Sequence, residues 1–299
     1  METKFNVLDI NSQQEMILKE RKANNAWNKL KRNKTALIGL MIVVVMTILA
    51  LFASIITSKD PNAMDLANAY LKPGSPGHIL GTDEFGRDLL TRIIYGARVS
   101  IIVAVGGMAV GGSVGILLGL ISGFKGGIVD TVIMRFMDGM FAFPFILLAL
   151  ILMTVLGDGI HNVIIAIGIA NIPGFARVAR GQVHIVKNEE YTQAIRALGA
   201  SDSRLLFKHI LPNCVSPIIV YGTLNVAGAI ISEAALSFLG LGIQPPTASW
   251  GNILRAGKDT LGTAPHIATF SGIAIIITVL GFNLLGDGIR DVLDPKMKR

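Results

Sequence analysis

Apolar and polar positions fall in long alternating blocks along this chain rather than in the short alternation of a sheet. The first apolar run, Ala36 to Thr57, carries no charge over 22 residues, enough helix to cross a hydrocarbon core of ~30 Å. Further runs at 100–124, 141–156, 162–176, 215–231 and 266–285 predict five more spans. The expected fold is all-α and membrane-embedded, with six transmembrane helices. The fourth span is short, and Pro173-Gly174 near its end predicts a kink, with helix continuing toward Arg177 and Arg180. Eight Lys and Arg precede the first run (Lys4, Lys19, Arg21, Lys22, Lys29, Lys31, Arg32 and Lys34). A cleaved signal peptide has a shorter basic region and a shorter apolar core, so the run reads as a retained anchor.

Between the fourth and fifth spans lies a polar block, EYTQAIRALGASDSRLLFKHILPN, from Glu190 to Asn213. Tyr191, Ala194, Ile195 and Leu198 recur at helical spacing and define one apolar face. Gly199-Ala200 breaks that pattern, and Ser201 is placed to cap a second short helix carrying Leu205, Leu206 and Ile210. Pro212 is expected to stop it, because its ring disfavours helical backbone in the preceding residue. Two amphipathic helices with a sharp bend outside the bilayer offer a rigid knob to a partner.

Gly107, Gly111, Gly115, Gly119 and Gly123 lie at a strict spacing of four in the second span. On a helix they form one groove that lets another backbone approach, a packing seam or a lining of the substrate path. In the preceding loop, GTDEFGRDLLTRIIYGAR (Gly81 to Arg98), Thr82 or Asp83 can cap an interfacial elbow helix. An acidic metal site from Asp83, Glu84 and Asp88 is the alternative, weakened by the absence of His or Cys and by the intervening Arg87. Glu233, ~30 Å of helix beyond Asn213, is expected at the outer surface as part of a short helix from Glu233 to Leu241. Trp250 fits an interfacial anchor.

Composition then narrows the class. Hydrophobic residues make up 52% of the chain and charged ones 16%, which excludes an ordinary soluble domain. The net charge of +7 would suggest nucleic acid in a soluble protein, but its distribution follows topology. The N-terminal tail, the 125–140 and 177–213 loops and the C-terminal tail hold 20 of the Lys and Arg, against 7 in the other loops. By the positive-inside rule both termini and the bent block are cytoplasmic. One cysteine, Cys214, leaves no internal disulfide. No HxxH or HExxH spacing supports a metal. The nearest approach to a phosphate loop, Gly251 to Asp259, has the wrong glycine spacing and lacks the Mg²⁺-binding hydroxyl. Energy for any pumping must therefore come from another subunit.

The 190–213 block resembles the EAA coupling loop of ABC-importer permeases. Counted from Gly199, the Glu-Ala-Ala positions are Gln193, Ala194 and Ile195. The Ile position is His209, and Leu211-Pro212 stands where Leu-Pro is expected. The signature acid is thus replaced by Gln193. GTDEFGRD, the stretch from Asp130 through Phe141-Ala142-Phe143-Pro144, Ser232 to Leu254 and Leu284 to Arg299 are similar to the second permease subunit of the oligopeptide/dipeptide branch.

The resemblance implies a type-1 permease fold, an anchor helix plus a five-helix core. Its parts would be a cytoplasmic tail (1–35), the anchor (36–57), an outer loop with elbow helix (58–96), the core (97–287) with coupling loop 177–213, and a second tail (288–299). It implies docking by Gln193, Ala194, Ile195, Gly199, Ala200, His209, Leu211 and Pro212. It also implies ATP and Mg²⁺ bound only by partners, which would be two cytoplasmic ATPase subunits, a homologous permease and an extracytoplasmic binding protein. The setting would be a bacterial or archaeal cell membrane and the cargo a peptide, with nickel chelates, haem or another small solute as the alternative. A secondary transporter or channel is the rival from another class. It wants charged or broken helices at mid-bilayer and an internal repeat, neither of which the sequence displays.

Overall fold

The computed structural model describes residues 30, 31 and 33–293, so most of the basic N-terminal tail and the last six residues lie outside it. Every extended element in it is helical. The anchor α1 (Lys34–Leu51) is continued by a short α2 (Ala53–Ile56). Then come α3 (Leu89–Lys125), α4 (Gly127–Phe141), α5 (Phe145–Leu156) and α6 (Ile160–Lys187). The bent block contains α7 (Glu190–Ala197) and α8 (Asp202–Arg204), followed by a π-helical segment, Leu205–Ile210. The chain ends with α9 (Leu211–Phe238), α10 (Trp250–Asp259) and α11 (Pro265–Leu293). Among the described residues five helices are long and apolar enough to span a bilayer, and α4 with α5, bent by 90°, makes a sixth. We call the end of the bundle that carries 190–213 the elbow end, and the other the loop end.

The glycine stripe organises the core. All five glycines are buried in α3 and face α6, the most extensive helix pair in the molecule. A methyl group added at Gly111 would stand 2.5 Å from the Gly168 carbonyl oxygen, and one at Gly119 would stand 2.3 Å from that of Ala176. At Gly107 the neighbour is Ile167, at Gly115 the Ile172 carbonyl, and at Gly123 Val183. Lipid tails are as apolar as any side chain, so helix association here gains nothing from water release and relies on close packing. Pro173 and Gly174 are buried within α6 and do not end it, so the fourth span runs unbroken to Lys187.

Two ion pairs hold the broken span to α6. Arg180 meets Asp130 through two bonds of 2.6 Å, and Arg177 reaches Asp138 at 2.8 Å. The bend itself falls at Ala142-Phe143-Pro144, where Pro144 takes an extended backbone and opens α5. The third span is accordingly shorter than 141–156, and the 125–140 loop is itself a helix.

Three expectations fail at the loop end. No separate elbow helix precedes the second span. Asp83 accepts from the amides of Phe85 and Arg87 at 3.0 Å, an arrangement that competes with helix, and Gly86 has φ +74°. The cap is Asp88, which accepts from the Thr91 amide at 3.0 Å, and α3 then runs unbroken into the membrane. Burial would raise the Asp88 carboxyl, but hydrogen bonds from Thr91, Lys59 and His78 outweigh it and hold the group below the ordinary carboxylate range.

The acids considered as a metal site are engaged with basic side chains instead. Asp83 pairs with Arg87 at 2.6 Å and Arg92 at 3.3 Å, Glu84 with Arg87 at 3.2 Å, and Asp88 with Lys59 at 3.1 Å and His78 at 2.8 Å.

Nor does Glu233 lie at a surface. It is 0% exposed inside α9, which continues to Phe238, and its carboxylate accepts from Ser100 at 2.7 Å and Ser237 at 2.9 Å. Trp250 is equally buried. Its indole N–H donates to the Ile93 carbonyl at 2.9 Å, so it is a core residue and not a membrane anchor. The Gly251–Asp259 stretch is helix α10 rather than a loop.

Gly119→Val should fail to pack the α3–α6 seam. An overpacked site costs about 1–3 kcal/mol, read as a lowered melting temperature of the detergent-purified protein. Gly181→Ala, where an added Cβ meets nothing within 4 Å, should leave it unchanged or raise it. Asp83→Asn should also destabilise, by about 3–5 kcal/mol, because it leaves two buried arginines short of their shared carboxylate.

Candidate functional site

The bend in the 190–213 block is built from ordinary helix-terminus chemistry. At the end of α7 the Gly199 amide donates to the Arg196 carbonyl at 3.0 Å and the Ala200 amide to Ile195 at 3.4 Å. This is the paired bonding of a Schellman cap, and Gly199 adopts the φ of +83° that such a cap requires. Ser201 restarts the helix, accepting from the Arg204 amide at 3.4 Å. Leu205, Leu206 and Ile210 then turn inward and are buried.

Pro212 does not stop this second helix. It occupies the first turn of α9, and the segment continues into the span. The wide turns before it make this possible: the Leu211 amide bonds back five residues to the Leu206 carbonyl. Proline is tolerated at a helix start because the amide it lacks has no partner there. The elbow and the fifth span therefore form one continuous helical run, Asp202 to Phe238.

The face predicted to be apolar points outward. Leu198 is 88% exposed and Tyr191 and Ala194 are exposed, whereas the buried member of α7 is Thr192. Gln193 is exposed too, its amide donating to the Asn188 carbonyl at 3.2 Å. Ile195 and Ala200 are half-buried, as are His209 and Leu211, while Pro212 is exposed. Gln193, Ala194, Gly199 and Pro212 thus lie open on the elbow, and Leu198 at the bend is its most exposed apolar side chain.

Two contacts hold the elbow to the bundle and had no signature in the sequence. Thr192 donates its hydroxyl to the Val186 carbonyl at 2.8 Å, tying α7 to the end of α6. Asn213 donates to the Tyr191 hydroxyl at 3.1 Å and to the His209 carbonyl at 2.7 Å, bracing α7 against the start of α9. Periodicity within one helix cannot report a pair separated by a bend.

The arrangement is suited to passing on a displacement. A protruding tip with an exposed apolar side chain is joined through one helical run to the interior of a helix bundle. Among the described residues no group of three or more His, Cys, Asp or Glu is placed to hold a metal ion.

Comparison with known proteins agrees with this geometry. Residues 115–299 match the family described as binding-protein-dependent transport system inner membrane component. Residues 23–73 match the N-terminal transmembrane domain of oligopeptide transport permease C. The dipeptide transport system permease protein DppC of Alkalihalophilus pseudofirmus is 45% identical over 275 residues, covering 91% of this chain and 90% of that protein. The di/tripeptide transport system permease protein DppC of Pseudomonas aeruginosa is 42% identical, with 91% of each chain covered. The glutathione transport system permease protein GsiD of Escherichia coli is 45% identical, covering 91% of this chain and 90% of its own.

Ser201→Ala should loosen the restart of the helix by about 1 kcal/mol. Amide hydrogen exchange should quicken at 202–206 while the buried part of α9 stays protected. With its membrane-spanning bundle, its elbow and this similarity along nearly its whole length, the chain belongs to the family of inner-membrane permease components of binding-protein-dependent transport systems.

Proposed function

We propose that this chain is one of two permease subunits of an ATP-driven importer for short peptides. The observation that carries this reading is the elbow, a capped bend with an exposed apolar tip continuous with a membrane helix. Its partners are a homologous permease, two cytoplasmic ATPase subunits that bind ATP and Mg²⁺, and an extracytoplasmic binding protein. The chain is non-catalytic and sits in a bacterial or archaeal cell membrane with both termini on the ATPase side.

Gln193, Ala194, Ile195, Gly199, Ala200, His209, Leu211 and Pro212 form the docking segment. Gln193 supplies a neutral amide where the EAA pattern has an acid, so docking rests on shape and apolar contact rather than an ion pair at that position. Closure of the ATPase dimer moves the elbow, and the helical run Asp202–Phe238 carries the motion into the bundle, which alternates between outward- and inward-facing states. The names of the relatives support peptides as cargo over nickel chelates or haem, and the family assignment leaves the secondary transporter or channel without support.

Gly199→Val separates coupling from folding. An added Cβ there meets nothing within 4 Å, so the variant's cost is confined to a strained backbone of about 1–3 kcal/mol at the bend. The variant should insert and keep its fold, with a melting temperature lowered by no more than that strain, while peptide uptake by the reconstituted complex falls to background. Wild-type uptake in that variant would refute the coupling role.

A further inference from the structure

Between α6, α9 and α11 at the elbow end lies an open groove of about 600 Å³. That volume is within the range of about 300–1,000 Å³ typical of small-molecule sites. Polar and apolar residues alternate along its depth. α6 and α11 run toward the elbow end and α9 runs away from it, so Asn213, Ile185 and Leu293 sit nearest the mouth. Leu224 is level with Gly286, one turn further into the bundle than Arg290, so Arg290 stands about level with Val220, with Tyr221 and Leu224 below it. Gln182 and Ser216 line the upper wall. Among the described residues the side chains of Gln182, Ser216 and Arg290 make no hydrogen bond or ion pair. Unpaired polar side chains, a cation and a largely apolar wall thus share one cleft.

From this we infer that the groove is a binding site for an anionic phospholipid of the leaflet on the elbow side, its phosphodiester held by Arg290 and its acyl chain laid along α9. A cation near the membrane surface attracts anionic headgroups, and basic pockets between spans bind them. The charge balance discriminates among occupants. Among the described residues no lining residue is a carboxylate, so a zwitterionic peptide or an ethanolamine headgroup would bring an ammonium group that none of them neutralises. A glycerol headgroup makes no such demand. Asp287 and Asp291 flank Arg290 on α11, but neither lines the groove, and Asp291 accepts from Asn33 at 3.1 Å. The inference rests on the chain's membrane-embedded family and not on its cargo.

The test uses the assembled complex in nanodiscs. Photoactivatable phosphatidylglycerol should label wild type within 213–224 and 285–293, and native mass spectrometry should find phosphatidylglycerol retained over phosphatidylcholine and phosphatidylethanolamine. Arg290→Gln should lower that retention about fivefold without changing retention of phosphatidylcholine. Ser216→Phe, which fills the groove, should lower retention of both. Labelling elsewhere overturns the site, as does equal retention of all three lipids. It falls equally if a labelled dipeptide displaces the lipid, or if a photocross-linker at position 216 captures a neighbouring subunit. Peptide-stimulated ATP hydrolysis on the same samples reads the transport proposal separately.

Discussion

The close approach of α3 and α6 is the contact on which the rest of this structure depends. Within a bilayer no apolar surface is gained from water by pairing two helices, so only intimate packing and buried polar bonds hold them. The glycine groove supplies the first. It lets carbonyl oxygens of α6 stand within 2.3 to 2.5 Å of where a side chain would otherwise begin. The tolerance for change along this seam is accordingly close to nothing, and the elements that hang from α6 inherit its position. α7 is tied to the end of α6 through Thr192, and α4 through Arg177 and Arg180.

The second source of cohesion lies at the loop end, where polar groups are buried in pairs. Asp83 with Arg87 and Arg92 forms a local cluster, whereas Glu233 with Ser100 joins parts of the chain far apart in sequence. Arg92 also donates to the carbonyl of Pro61 at 2.9 Å. Buried polar groups that meet partners are directional, and they fix register where apolar packing alone would permit sliding. The long run that starts at the elbow is therefore anchored at its far end, at Glu233, by a hydrogen bond from Ser100 of α3. A rod held firmly at one end and exposed at the other suits transmission of displacement.

Much of the architecture was legible because membrane helices announce themselves by length and apolarity. The bend was legible too, because Gly199 and Ser201 act through local rules that need no tertiary context. The failures share a different cause. Pro212 misled because the wide turns upstream of it depend on how Leu205, Leu206 and Ile210 bury, which a local proline rule does not register. Glu233 was placed by depth alone; the length of helix said nothing about whether α3 and α10 would cover it. Trp250 looked like an anchor by residue type, and only the nearby α3 backbone, with Gly96 leaving room for the indole, makes it a core residue. In the GTDEFGRD stretch, capping residues were recognised but assigned to the wrong turn, since Asp83 and Asp88 have equal local claims and Arg87 and Arg92 decide between them. Partnership across sequence distance is what one chain read alone conceals.

The seat of the anchor helix carries a consequence for biogenesis. α1 rests on α11 through Gly39 against Leu285 and Ala36 against Gly288, and Asn33 reaches Asp291 across 258 positions of sequence. α1 thus docks against a span synthesised long after it. Until α11 has been made, α1 must wait in the lipid without its mate, so a nascent chain cut short before α11 leaves α1 orphaned for quality-control proteases to find.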